Sequence, residues 1–137
     1  MAQLLLITDL MQRDMQKGLV ERGLTQVRAN LIWELGARQP MTQRDLAEVL
    51  GVTPRNVTAL LDALEKGNFV QRADHPTDRR AILVSLSPAG QAARERLQSD
   101  LVELADTLFS GVSSDDLDAF SRVAGAASEK LKSLDAR

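Results

Sequence analysis

The chain has 137 residues, 44% hydrophobic and 26% charged, which suits one folded domain with its own core and excludes a disordered polar chain. Seventeen Lys and Arg stand against 19 Asp and Glu, a net charge of -2, so bulk charge gives no pointer to nucleic acid. There is no Cys and one His, His75, which excludes disulfides, thiolate zinc sites, Fe–S clusters and Cys nucleophiles and leaves no basis for a His-centred metal site or triad.

No targeting segment is visible. The start lacks basic residues, and the apolar run Leu4–Ile7 stops at Thr8-Asp9, too short for a signal peptide or a membrane span. A cytoplasmic protein with no membrane contact is expected. Residues near 3–17 place Leu4, Ile7, Met11 and Met15 at helical spacing, and Gly18 and Gly23 are expected to break that helix. A second helical run holds Leu24, Val27, Leu31, Ile32 and Leu35 and is expected to end before Gly36, followed by Gln39-Pro40.

Thr42 with Asp45 three residues later reads as a capping box opening a short helix that stops at Gly51. Thr53-Pro54 is a cap followed by a first-turn proline, opening a helix whose inner face is Val57, Leu60, Leu61 and Leu64 and which ends at Gly67-Asn68. The period then changes. Residues 69–72 and 81–86 read as two strands of a hairpin, joined by a long polar tip at 73–80. Ser87-Pro88 starts a further helix running to about Phe109, Gly111 interrupts, and Ser113 or Ser114 caps a last helix with Asp115 and Asp116 in its first turn.

This is a mainly α fold with a small β-hairpin wing. A winged helix-turn-helix module at 37–87 lies between apolar outer helices at 1–36 and 88–137. The tight turn Leu50-Gly51-Val52-Thr53 joins two helices as a helix-turn-helix does, though structural helix pairs use such turns too. With Val57, Leu60 and Leu61 inward, Arg55, Asn56, Thr58 and Ala59 face out. Arg can grip guanine, Asn adenine, and Thr a thymine methyl. Thr42, Gln43 and Thr53 sit at helix N-termini, which suit phosphate. Taken alone, Arg55 and Asn56 could equally be solvated residues of a helix start. Asp78-Arg79-Arg80 puts two guanidinium groups at a wing tip with no core to serve, and a narrow minor groove attracts such groups. The acidic excess is segregated: residues 1–36 are neutral, 37–87 carry +1, and 88–137 carry -3.

From Met41 to Gly90 the sequence resembles the multiple-antibiotic-resistance regulator (MarR) family of bacterial winged-helix transcription factors. The resemblance is carried by Leu46-Ala47-Glu48-Val49-Leu50-Gly51-Val52, by Val57-Thr58-Ala59-Leu60-Leu61-Asp62-Ala63-Leu64-Glu65-Lys66, by Asp78-Arg79-Arg80-Ala81, and by Leu83-Val84-Ser85-Leu86-Ser87-Pro88-Ala89-Gly90. It implies a homodimer whose N- and C-terminal helices interlace, each module reading half of an inverted-repeat operator in double-stranded DNA. It also implies that Asp78 and Arg80 are the family's wing pair, with Arg80 in the minor groove and Arg79 beside it. Arg72 matches a position often basic in the family, either phosphate-contacting or structural. Asn68 stands where the family usually has a glycine, with Gly67 one place early. The thiol-sensing branch is excluded by the absence of Cys.

Family members often bind small aromatic acids between the dimer helices and the module. Met11, Arg13 and Trp33 are the candidates to line such an effector site here, although Met11 and Trp33 also suit an ordinary core or interface. His75 is expected to be a solvated loop residue rather than a pH switch. The expected function is a ligand-responsive repressor without catalytic residues, metal or cofactor. The competing reading is a winged helix that binds protein and not DNA.

Overall fold

The computed structural model describes residues 1–135, so the last two residues of the 88–137 segment lie outside the described residues. The order is α1 (Ala2–Glu21), α2 (Gln26–Arg38), β1 (Met41–Thr42), α3 (Gln43–Leu50), α4 (Pro54–Lys66), β2 (Val70–Asp74), β3 (Ile82–Leu86), α5 (Pro88–Phe109) and α6 (Ser114–Asp135). The chain divides into two compact units, Met1–Gln98 and Ser99 onward.

In the first unit the core is aliphatic. Leu31, Ile32 and Leu35 of α2, Leu46 of α3, Val57, Leu61 and Leu64 of α4 and Val84 of β3 are its largest fully buried side chains. Each such burial stabilises the fold by about 1.5–3 kcal/mol. The expected hairpin gains a third strand: β1 pairs antiparallel with β3 (Met41 opposite Val84), giving the order β1-β3-β2. Two residues are too few to show a period, so β1 had no signature. The wing strands pair from Val70–Leu86 to Asp74–Ile82, so β2 runs further out than the expected 69–72.

Two expected helix ends are displaced. Gly18 does not break α1, because Leu19 beside it is docked in the core and the Arg22 guanidinium donates to the Gly18 carbonyl at 2.7 Å. The helix ends instead at Gly23, whose φ is +67°. Likewise α2 runs through Gly36 to Arg38. The Arg94 side chain of α5 lies where a Gly36 Cβ would be, 1.9 Å from its Cδ, so glycine serves the crossing and not a helix end.

The helix-turn-helix caps form as expected. Thr42 Oγ1 accepts from Asp45 N at 3.1 Å and Asp45 Oδ2 from Thr42 N at 3.3 Å. Gly51 closes α3 at φ +63°, and Thr53 Oγ1 accepts from Asn56 N at 3.2 Å. Asn68 takes the left-handed φ of +60° after α4, with Phe69 N bonded back to Leu64 O at 2.8 Å. Buried Ser87 then pins α5 to this turn: its Oγ donates to Asn68 O and accepts from Gly90 N.

In the second unit Ser113 caps α6, accepting from Asp116 N at 3.2 Å, and Phe109 and Phe120 pack with ring centroids 5.8 Å apart. No described side chain of this unit is buried.

A Cβ on Gly90 would lie 1.9 Å from the Phe69 carbonyl oxygen, a backbone atom that cannot rotate away. Gly90→Ala is therefore expected to destabilise the fold by about 1–3 kcal/mol through overpacking. A thermal melt that superimposes on the wild-type curve would contradict this packing.

Candidate nucleic-acid interface

The first turn of α4 projects from the module because its inner face is anchored. Val57 and Leu61 are buried, whereas Arg55, Asn56, Thr58 and Ala59 are exposed. Thr58 donates its hydroxyl to Pro54 O at 2.9 Å, which leaves its methyl and an oxygen lone pair outward. Thr42 and Thr53 use their oxygens as caps, and their hydroxyl hydrogens remain available to an acceptor such as phosphate. Gln43 is half-buried at the start of α3. Beside it stands Arg44, exposed and in no ion pair among the described residues. Sequence reasoning passed over Arg44, although its place in the first turn of a capped helix was a usable signal.

The wing tip is built by hydrogen bonds. Asp78 Oδ1 accepts from Arg80 N at 2.9 Å, so the carboxylate holds the backbone and leaves the guanidinium outward. Ala81 N donates to Asp78 O at 3.0 Å and His75 N to Ala81 O at 3.2 Å. Among the described residues neither Arg79 nor Arg80 is paired with a carboxylate, and the same holds for Arg55. His75 corrects the expectation of a solvated loop residue. It is half-buried, and its Nδ1 accepts from Asp78 N at 3.1 Å and Thr77 N at 3.3 Å.

Arg72 is placed differently from the other arginines. From β2 it reaches under α4, donating from Nη2 to Asp62 at 2.7 Å and from Nη1 to Glu65 at 2.9 Å, with Nη2 also 3.4 Å from Thr58 O. Its side chain is 20% exposed. This fork ties the wing to α4.

The three candidate effector residues have different surroundings. Arg13 is on the surface, paired with Asp9 at 2.8 Å, and Met11 is half-buried on α1. A groove near the α1–α2 connection is lined by Gln12, Met15, Gln16, Leu19, Val20 and Leu24 among others, and by none of the three candidates. Trp33 instead has Arg94 over its ring, 5.7 Å from the centroid, and Arg94 Nε is buried without a hydrogen-bond partner. Arg94 gave no sequence signal, since only the fold brings α5 across α2. Among the described residues there is no group of three His, Cys, Asp or Glu side chains that could hold a metal, and no helix is long and apolar enough to cross a membrane.

Residues 24–82 match the model of the MarR family. The uncharacterized HTH-type transcriptional regulator YwhA of Bacillus subtilis is 22% identical over 79% of this chain and 78% of its own length. The HTH-type transcriptional repressor YetL of the same organism is 29% identical over 66% of this chain and 54% of its own. Among solved structures, the Staphylococcus aureus MepR–DNA complex superimposes with a TM-score of 0.73 over 97% of this chain and 96% of that one, at 24% identity. This last likeness shows the fold.

The Arg72 fork makes a coupled prediction. Asp62→Ala and Glu65→Ala should each cost under about 1 kcal/mol, because both carboxylates are half-exposed, whereas Arg72→Met should cost about 1–2 kcal/mol. In a double-mutant cycle, Arg72→Met with Glu65→Ala should be less than additive. Strict additivity in denaturant titrations would show that the fork does not bind the two elements.

Proposed function

We propose that the chain is a winged helix-turn-helix transcriptional regulator of the MarR family, as the family-model match over residues 24–82 supports, and that it works as a homodimeric repressor on an inverted-repeat operator, released by a small organic acid. The observation that supports this best is the disposition of charge: Arg55 on the first turn of α4 and Arg79 and Arg80 at the wing tip are exposed, and among the described residues no carboxylate holds them. In this reading α4 enters the major groove. Arg55 and Asn56 meet base edges and Thr58 a thymine methyl. Thr42, Gln43 and Thr53 donate to phosphate at the starts of α3 and α4. Arg80 enters the minor groove with Arg79 beside it, and Arg72 serves by holding the wing to α4.

The dimer is supported by apolar surface. Helix α1 exposes Leu4, Leu5, Leu6, Ile7 and Leu10, and the second unit exposes Phe120, Val123, Leu131 and Leu134. Exposed apolar side chains in such number on a helix are ordinarily covered. A second copy covers it symmetrically and duplicates the recognition helix, so that half-sites fall about 34–36 Å apart. The segments 1–36 and 88–137 thus serve assembly and 37–87 serves recognition, in the cytoplasm where the operator lies. Repression is the action named for YetL. For the effector, the Trp33 ring and the unpartnered Arg94 Nε offer a face and a cation to an aromatic acid.

Selection of bound duplexes from a random pool should recover an inverted repeat. On that duplex Arg80→Ala should weaken binding at least roughly tenfold, and Arg55→Ala or Asn56→Ala should cost about 1–3 kcal/mol and relax preference at one position. Affinity should fall steeply with salt. Failure to recover any duplex, with no salt-dependent affinity, would favour the protein-binding reading. Light scattering should give twice the 15.0 kDa chain mass, and a monomer would overturn the symmetric arrangement. Because Trp33 is the sole Trp, salicylate should quench intrinsic fluorescence in wild type and not in Arg94→Gln; equal quenching in both would remove Arg94 from the effector site.

A further inference from the structure

We propose that His75 is the positioning residue of the wing: its neutral imidazole sets the loop that presents Arg79 and Arg80, and acid releases that loop. The inference rests on the reading of the wing as a DNA contact. Residues 75–81 join β2 to β3, and every side chain from Pro76 to Arg80 is exposed. No apolar cluster orients these residues, so hydrogen bonds must. The backbone bonds from His75 N to Ala81 O and from Ala81 N to Asp78 O close the loop, and two side chains supply the rest. Asp78 Oδ1 takes Arg80 N at 2.9 Å, and His75 Nδ1 takes Asp78 N at 3.1 Å and Thr77 N at 3.3 Å, with Thr77 Oγ1 also at 3.3 Å. The two are in series: His75 holds the backbone of Asp78, and the Asp78 carboxylate holds the backbone of Arg80.

A ring nitrogen that accepts from two N–H groups has no hydrogen of its own, so the bonded form is the neutral tautomer protonated at Nε2. Adding a proton to Nδ1 turns an acceptor into a donor facing donors. The backbone of Thr77 and Asp78 is then released, and the arginines must be ordered at the expense of binding. The charged residues of the elements that flank the ring are Arg72 and Asp74 of β2, with Arg72 engaged by Asp62 and Glu65, and Asp78, Arg79 and Arg80 of the loop; β3 has none. None of them forms an ion pair with His75 among the described residues.

The direction of the pH effect separates this role from a simpler one. An imidazolium lying against phosphate would strengthen binding in acid. A positioning imidazole weakens binding in acid.

The test uses the full chain and a fluorescently labelled inverted-repeat duplex recovered by selection. Binding is read by anisotropy at constant ionic strength from about pH 8 to about pH 5.5, the range over which imidazoles change charge. Wild-type affinity should fall roughly tenfold across that range, the scale of one or two net hydrogen bonds. His75→Asn offers a carbonyl oxygen to the same N–H groups in an Asx turn, so it should keep the affinity seen at high pH and flatten the profile. His75→Ala should be weak throughout. Arg80→Ala is the control for the underlying reading: if it binds like wild type, the wing contact itself fails. If Arg80→Ala is weak but His75→Ala matches wild type at high pH, the positioning role fails alone. Parallel profiles for wild type and His75→Asn, or tighter binding in acid, would also overturn it. Without DNA, imidazole proton–nitrogen correlation spectra of the free protein should show the Nε2–H tautomer at about pH 8. An Nδ1–H tautomer would refute the proposal.

Discussion

The module depends on a directional tie between helix α4 and the wing strand β2, two elements otherwise held together by apolar packing and by the short turn that joins them. Val57, Leu61 and Leu64 of α4 and Val70, Val84 and Leu86 of the sheet are all buried, and their apolar area supplies most of the attraction. That attraction has no direction. The Arg72 fork does: two nitrogens on two carboxylates one helical turn apart, Asp62 and Glu65, fix where along α4 the wing strand crosses. With exposed carboxylates its net energy is modest. What it determines is register, and any reading of DNA by both the first turn of α4 and the wing tip needs that register.

The same fork explains why a chain of net charge -2 is compatible with a basic contact surface. Asp62 and Glu65 sit toward the far end of α4, where Arg72 offsets one of their two charges. The acids of the last helices lie outside the module altogether. The exposed arginines of the proposed contact elements are Arg44, Arg55, Arg79 and Arg80, with Asp78 among them at the wing tip. Net charge sums over the chain, whereas a duplex meets only the face nearest to it, within a Debye length of about 8–10 Å at physiological salt.

How far the sequence could be read follows from where the determining interactions lie. Thr42 with Asp45, Gly51, Thr53 with Pro54, and Asn68 act within three or four residues of themselves, and each took the role its local chemistry suggests. The displaced helix ends at Gly18 and Gly36 were decided by Leu19 reaching the core and Arg94 arriving from α5, which no local pattern records. The same is true of the Arg72 fork and of β1, whose partner lies some forty residues away. His75 is the intermediate case. Its partners are two and three residues off, but nothing in the residue type said whether the ring would act on its own backbone or face solvent. Of the proposed contact residues, the exposure of Arg55 and Asn56 was legible from the inward pattern of their neighbours, and that of Arg79 and Arg80 from a polar hairpin tip with no core to serve.

The outer helices pose a different constraint. Helix α1 has twenty residues, and Leu19 alone of them is buried. In the second unit the Phe109–Phe120 contact is an apolar pairing that buries neither ring. A helix pair without a buried side chain gains little from tertiary packing, and isolated helices are marginal in water. Their order in a functioning molecule therefore has to come from surface supplied by something else. If that surface is a second copy, folding of these segments and assembly become one equilibrium, and their stability depends on protein concentration. The winged module is exempt, because its core closes within the first unit. It follows that a perturbation of the outer helices can alter the spacing of two modules without unfolding either, which is the mechanical freedom that an effector-controlled DNA reader requires.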